Sequence, residues 1–167
     1  MYKKILVPLD GSELAEKALD HAEKLAEAFD AEVILLEVVP FMPIYGAPEL
    51  VVPFVVDEKQ KEAAEKYLTH LAEELKKSGL MVATEVKIRM QVAAEITDFA
   101  KQRRVDLIVM CTHGRSGITR WVLGSVAHKV LIRAETPIFL VHLITRRAEF
   151  HGLCPWVNGN SPVGRQA

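Results

Sequence analysis

Short apolar runs rich in β-branched residues alternate along the chain with longer stretches in which apolar residues recur every three or four positions. The short runs predict β-strands, and the longer stretches predict amphipathic α-helices. Strands are expected at residues 3–9, 32–39, 80–89, 106–110 and 138–143, and helices at about 13–29, 57–78, 93–102 and 124–134. The alternation predicts an α/β fold, an open five-stranded parallel sheet with helices on both faces, doubly wound and Rossmann-like.

Individual residues mark the ends of several predicted elements. Ser12 follows the first strand and is expected to cap the next helix through its side-chain oxygen. Gly79 is expected to end the second helix, and Pro137 precedes the fifth strand, where a missing backbone donor is tolerated. The third strand alternates apolar and polar residues, so we expect it to have one more exposed face.

Two segments depart from this alternation. Residues 40–57 combine four prolines with many apolar residues, which argues against a regular helix or a central strand. This segment is expected to be either a lid or interface segment, or an ordered loop packed on the body of the domain. Residues 145–167 lack periodicity and predict an irregular C-terminal tail, so that residues 1–144 form the domain.

Composition narrows the class of protein. The 167 residues carry a net charge of −1, which provides no broad attraction to nucleic acid or to an anionic membrane. No signal-peptide pattern follows Met1, and no apolar run approaches the roughly 20 residues that cross a bilayer. Cys111 and Cys154 form neither a CxxC pair nor a disulfide framework, so a cytoplasmic location is expected.

Candidate chemistry lies after the first and fourth predicted strands, because ligands of open parallel sheets bind at the carboxyl ends of strands. The segments there are residues 8–12 and 111–117, and Gly124 with Ser125 begins the next helix. Glycines at 114 and 117 let backbone amides approach anionic oxygens, a helix start favours anions, and Arg115 adds positive charge. These features suit a polyphosphate, although glycines in this segment could also serve only to make turns.

Three stretches together resemble the universal stress protein family: the opening ILVPLDGS, the segment GRSGITRWVLGS and the order of strands and helices. The resemblance covers residues 2 to about 144. ATP-binding members of that family carry Gly-x2-Gly-x9-Gly-Ser/Thr after the fourth strand. Gly114, nine residues, and then Gly124-Ser125 match the later part of this motif, whereas Cys111 stands at its first glycine. A small cysteine fits there if the position does not require a positive φ.

The resemblance implies an adenine-nucleotide site that holds ATP, with Mg²⁺ or Mn²⁺ as an accompanying ion, and slow or no hydrolysis in a stress-response or signalling role. It also implies a homodimer that pairs through the last strand, residues 138–143. By the same resemblance, the base and ribose are lined by Pro8, Leu9 and Asp10, and adenine is contacted by Val38 and Val39. The ribose and phosphates are lined by Met110, Cys111, His113 and Gly114. The phosphates are received by Gly124, Ser125 and Val126, with Arg115 and Gly117 beside them.

Other classes of function are less well supported by the residues. No GxSxG nucleophile elbow is present, so we assign no catalytic residue, and a dedicated enzyme is not expected. The pairs Cys111-x-His113 and His151-x2-Cys154 lack a matching second half, so we assign no metal ligand. Two alternatives stay open: a dimeric interaction module that binds no nucleotide but has a protein partner, and a nucleotide-hydrolysing enzyme that uses the same pocket.

Overall fold

The computed structural model describes residues 1–41, 58–112 and 123–142, in which parallel strands alternate with helices. The elements, in chain order, are β1 (Lys4–Leu9), α1 (Glu13–Phe29), β2 (Glu32–Pro40), α2 (Glu58–Lys77), β3 (Val82–Arg89), α3 (Val92–Gln102), β4 (Leu107–Cys111), α4 (Ser125–Arg133) and β5 (Ile138–Val141). The interpretations of residues 42–57 and of the tail fall outside the described residues and stay predictions.

The strands form one five-stranded parallel sheet in the order β3-β2-β1-β4-β5. The chain first builds outward from β1 to β3 and then returns to the other side of β1 with β4 and β5. The connection that follows β1 therefore leads towards β2, and the connection that follows β4 leads the other way, towards β5. The boundary between β1 and β4 is the switch point of this doubly wound sheet. The predicted fold class is confirmed.

Two apolar cores cover the two faces of the sheet. On one face, residues such as Leu9, Leu35 and Cys111 pack beneath α1 and α2. On the other face, residues such as Leu36 and Met110 pack beneath α3 and α4. Side chains of a strand point alternately to opposite faces, so each central strand contributes to both cores. This alternation explains why β1, β2 and β4 read as almost continuous apolar runs in the sequence.

The predicted helix ends at Ser12 and Gly79 are found. The Ser12 hydroxyl oxygen accepts a hydrogen bond from the amide of Ala15 at 3.2 Å, which caps α1. Gly79 follows α2 with a φ of +83°, a left-handed conformation that glycine adopts without steric cost. The fifth strand ends at Val141, which is earlier than predicted.

The edge strand β3 forms, but its two faces do not alternate cleanly between buried and exposed. Six of its eight residues are half-buried. One face carries charged side chains that cover part of the α3 core: the Lys87 ammonium lies 5.8 Å from the centre of the Phe99 ring and 2.7 Å from the Glu85 carboxylate. Lys87 buries its aliphatic stem in this position, so a charged residue contributes to the packing of the edge.

None of the helices in the described ranges is long and apolar enough to cross a membrane.

Candidate functional site

A cavity of about 700 Å³ lies at the carboxyl ends of the strands, where β1 and β4 part. The register of β1 with β2 continues as far as Leu9↔Glu37. Between β1 and β4, by contrast, the paired residues end at Leu6↔Ile108. The early end of this pairing leaves a crevice at the switch point, which is where ligands of doubly wound sheets bind.

Ten of the fourteen residues predicted for the site line this cavity. They are Pro8, Leu9, Asp10, Val38, Val39, Met110, Cys111, Gly124, Ser125 and Val126. The other four, His113, Gly114, Arg115 and Gly117, lie outside the described residues. The structure thus brings together the described residues from four separate parts of the chain.

Asp10 is held in place by the turn that follows β1. Its Oδ1 oxygen accepts hydrogen bonds from the Ser12 hydroxyl at 2.6 Å and from the Ser12 amide at 3.2 Å. Gly11 makes this turn with a φ of +77°, which favours glycine. Because Ser12 also caps α1, the same residue fixes both the helix start and the orientation of the Asp10 carboxylate at the cavity wall.

The start of α4 forms another wall of the cavity. Gly124 occupies the cap position and has no side chain to cap the helix, while its own amide donates to the carbonyl of Thr112 at 2.8 Å. The first intrahelical bond runs from the amide of His128 to the carbonyl of Gly124. The amides of Ser125 and Val126 therefore have no acceptor within the helix, and the helix dipole makes this end attractive to anions.

A third wall is formed by β2 and α2, and only its β2 residues Val38 and Val39 were predicted from the sequence. Its other residues are Glu37, Gln60, Ala63, Ala64 and Tyr67. Glu37 is a charged residue within the buried part of β2 and is only 6% exposed. A lone carboxylate inside an otherwise apolar strand run is the signal that could have revealed it, because such a residue is costly to bury.

Negative charge is concentrated near this third wall. The Tyr67 hydroxyl donates to the Glu16 carboxylate at 3.0 Å. Burial, this hydrogen bond, and the charges of Glu16, Glu37 and Asp10 all raise the pKa of Tyr67 well above its usual value. Among the described residues that line the cavity there are two carboxylates, Asp10 and Glu37, and no lysine, arginine or histidine.

Cys111, which the sequence resemblance assigns to the first glycine position of the family motif, lies at the end of β4 and is buried. Its backbone is part of the strand and its φ is not positive, so cysteine is not strained here. The thiol lies 3.8 Å from the carbonyl of Ala15 in α1. Burial raises the pKa of Cys111 to about 11, which keeps the thiol protonated and unreactive at neutral pH.

Within residues 1–41, 58–112 and 123–142, no group of three or more His, Cys, Asp or Glu side chains is arranged to hold a metal ion.

Comparisons with known proteins agree on one family. A model of the universal stress protein family matches residues 1–142. Universal stress protein MJ0531 of Methanocaldococcus jannaschii is 37% identical over 141 residues, covering 84% of this chain and 82% of the relative. The solved structure of protein MJ0577 from the same organism has a TM-score of 0.74 at 32% identity, covering 86% of this chain and 98% of its own. A universal stress protein from Archaeoglobus fulgidus, solved in complex with dAMP, shares the fold, with a TM-score of 0.61, 24% identity, and coverage of 83% of this chain and 97% of its own.

Proposed function

The chain belongs to the universal stress protein family, and we propose that it binds an adenine nucleotide, with ATP as the main ligand, in the cavity between β1 and β4. One observation carries this proposal: the cavity joins the fixed carboxylate of Asp10 to the uncapped start of α4. A ligand with hydroxyl donors at one end and phosphates at the other complements both.

The ligand is oriented by the polarity of the cavity. Its phosphates lie at Gly124, Ser125 and Val126, together with residues 113–117, and a Mg²⁺ or Mn²⁺ ion accompanies them by binding phosphate oxygens. Its ribose hydroxyls donate to Asp10. Its base lies against the apolar residues at the end of β2, Val38 and Val39.

Binding without efficient turnover is the activity that we propose for this site. The described lining residues at the α4 end are Thr112, Gly124, Ser125, Val126 and Ala127. None of these five carries a carboxylate or an imidazole that could activate water for attack on a phosphate. The protein would then act as a cytoplasmic sensor in stress response or signalling, in which the bound nucleotide is the signal.

Mass spectrometry of small molecules released from the purified protein tests this function directly. We expect an adenine nucleotide, and calorimetry with ATP, ADP and AMP should then show saturable binding, with little phosphate released from ATP. Absence of both co-purified nucleotide and calorimetric binding at millimolar ATP would contradict the proposal. That result would favour the alternative of an interaction module that binds no nucleotide.

Pairing of two copies through β5 is the second part of the proposal. In the described sheet β5 pairs only with β4, and its other edge is open. Apolar side chains are exposed on β5 and on the helix that precedes it: Phe139 is 39% exposed on β5, and Ile132 is 71% exposed on α4. An open strand edge with apolar neighbours is suited to pairing with a second copy.

Light scattering across a concentration series measures this association. We expect a dimer mass for the wild type and a monomer mass for Phe139→Glu, because a charge at the paired edge would be desolvated. Met81→Glu is the matched control, since Met81 is 60% exposed beside the opposite edge strand, β3. A monomer mass for the wild type at every concentration would rule out the dimer.

A further inference from the structure

Glu37 is a buried carboxylate in a strand where every neighbour in the chain is apolar. It is 6% exposed, between Leu36 and Val38. Removing a carboxylate from water costs free energy, and replacing such groups by apolar residues often stabilises a protein. A role in packing alone therefore does not account for a glutamate at this position, whereas a role in the adjoining cavity does.

The side chain of Glu37 faces the wall that α2 forms. Leu36 and Val38 pack in the core beneath α3 and α4, and Leu35 packs in the core beneath α1 and α2. Strand alternation directs Glu37 to the same side as Leu35, where it adjoins Tyr67. The Tyr67 hydroxyl itself donates to Glu16 at 3.0 Å.

The order of strands indicates which part of a ligand reaches Glu37. Crossing the sheet from β4, a nucleotide meets first the start of α4, then Asp10 after β1, and then Glu37, Val38 and Val39 on β2. If its phosphates lie at α4 and its ribose at Asp10, its base arrives at β2. Among the described lining residues, Glu37 is therefore the charged group at the base end of the cavity.

From this arrangement we infer that Glu37 determines base specificity by accepting a hydrogen bond from the exocyclic amino group of adenine. The inference rests on the proposed function and names the part of the nucleotide that is read. An ionised carboxylate only accepts hydrogen bonds, and its two oxygens have room for several donors. A base without the amino group leaves this buried carboxylate with one donor fewer, which is unfavourable in a cavity of low polarity.

The test compares ATP with the triphosphate of purine riboside, which has a hydrogen atom in place of the amino group. We expect wild-type protein to bind ATP roughly 10- to 100-fold more tightly, since this is the usual loss for a hydrogen bond to a charged group. Glu37→Met, which has a similar shape and accepts no comparable hydrogen bond, should reduce the preference to less than about threefold. Glu37→Gln should give an intermediate preference, because a neutral amide accepts more weakly than a carboxylate.

Glu32→Gln is the matched control, because Glu32 lies at the other end of the same strand and does not line the cavity. It should keep the wild-type preference. Thermal unfolding of each variant checks that it is folded.

Several outcomes separate this inference from the proposed function. If the wild type binds neither triphosphate, the proposed function itself fails. If it binds both equally, or if Glu37→Met keeps the preference, the assignment of Glu37 alone is wrong. Tighter binding of GTP than of ATP would also overturn it, because guanine presents a carbonyl oxygen where adenine has its amino group. If Glu37→Met lowers the affinity for ATP but not the affinity for 2′- or 3′-deoxy-ATP, Glu37 contacts the ribose instead of the base.

Discussion

The two ends of the cavity attract opposite charges and are built from different parts of the chain. Among the described lining residues, the charged groups at the β1–β2 end are the side-chain carboxylates of Asp10 and Glu37. The groups that attract anions at the α4 end are backbone amides at the start of a helix whose cap residue, Gly124, has no side chain. Side-chain charges are costly to bury, whereas the free amides of a helix start are present in every α-helix. The first end should therefore be sensitive to isosteric changes of charge, and the second chiefly to changes of shape.

The largest effect is expected at the α4 end. Gly124→Val places a branched side chain beside the free amides, and the φ of −55° at Gly124 allows valine without backbone strain. We expect ATP affinity to fall by about 100-fold, as for loss of one good hydrogen bond to a charged phosphate. Affinity for adenosine, which has no phosphates, should change by less than about threefold. Calorimetric competition measures both.

Ala134→Val, at the other end of α4, is the control for this prediction and should leave both affinities unchanged. Equal losses for ATP and adenosine in Gly124→Val would show that the two ends of the cavity do not act separately.

A smaller loss, and one shared by all ligands, is expected at the carboxylate end. Asp10→Asn removes the charge but keeps the shape, so affinity for ATP and for adenosine should fall together by roughly 30-fold. Ser12→Ala removes both the helix cap and the hydroxyl bond to Asp10: it should lower the free energy of unfolding by about 1 kcal/mol and weaken both ligands by less than Asp10→Asn does, because the Ser12 amide still donates to Asp10. If Asp10→Asn weakens ATP but not adenosine, Asp10 acts on the phosphates and the orientation of the ligand is reversed.

Removal of the Glu37 carboxylate should weaken base recognition but increase the stability of the protein. Replacing this buried carboxylate by leucine removes its desolvation cost, so Glu37→Leu should raise the free energy of unfolding by about 1–2 kcal/mol. Urea unfolding without nucleotide measures this, and Glu32→Leu, at the half-buried start of the same strand, should have a smaller effect. A destabilised Glu37→Leu variant would mean that the carboxylate supports the fold rather than the ligand.

The smallest effect on binding is expected at Cys111, which lies between the two ends. Its side chain packs against α1, so Cys111→Ala should change ATP affinity by less than about threefold. Burial raises the pKa of the thiol from 9.0 to about 11, so the folded state holds this proton more tightly than the unfolded state. The resulting stabilisation is fully present below pH 9 and is lost as the pH rises through about 11.

Urea unfolding of the wild type and Cys111→Ala at pH 8, 9 and 10 should therefore show the difference between them shrinking only at the alkaline end. A constant difference over this range would contradict the raised pKa.

The sequence was most informative where one property dominated an element. The apolar runs of β1, β2 and β4 predicted buried parallel strands, because both of their faces are covered by helices. The glycine and serine at 124–125 predicted a helix start, and the structure has one there. In each case the local pattern and the tertiary environment favour the same structure.

The α2 wall was missed because its residues fitted the predicted elements too well. In the sequence, Tyr67 belongs to the apolar face of a predicted helix, and Glu37 is a single polar residue within a predicted buried strand. Their proximity depends on the packing of α2 over β2, a tertiary relation that no periodicity encodes. The even burial of β3 was missed for a similar reason, because the half-buried Lys87 contacts Phe99 on another element.

The short pairing of β1 with β4 has a consequence for local opening. Two register pairs, Ile5↔Leu107 and Leu6↔Ile108, and a backbone bond from the Asp106 amide to the Lys4 carbonyl join the sub-sheet β3-β2-β1 to the sub-sheet β4-β5, whereas β1 and β2 are joined by six pairs. We expect backbone amides at the carboxyl end of β1 to exchange faster than amides within either sub-sheet, because the boundary between the sub-sheets opens locally. A nucleotide that spans the cavity would contact both sub-sheets and hold them together. Binding should therefore slow amide exchange on both sides of the boundary, even at residues that touch no ligand atom.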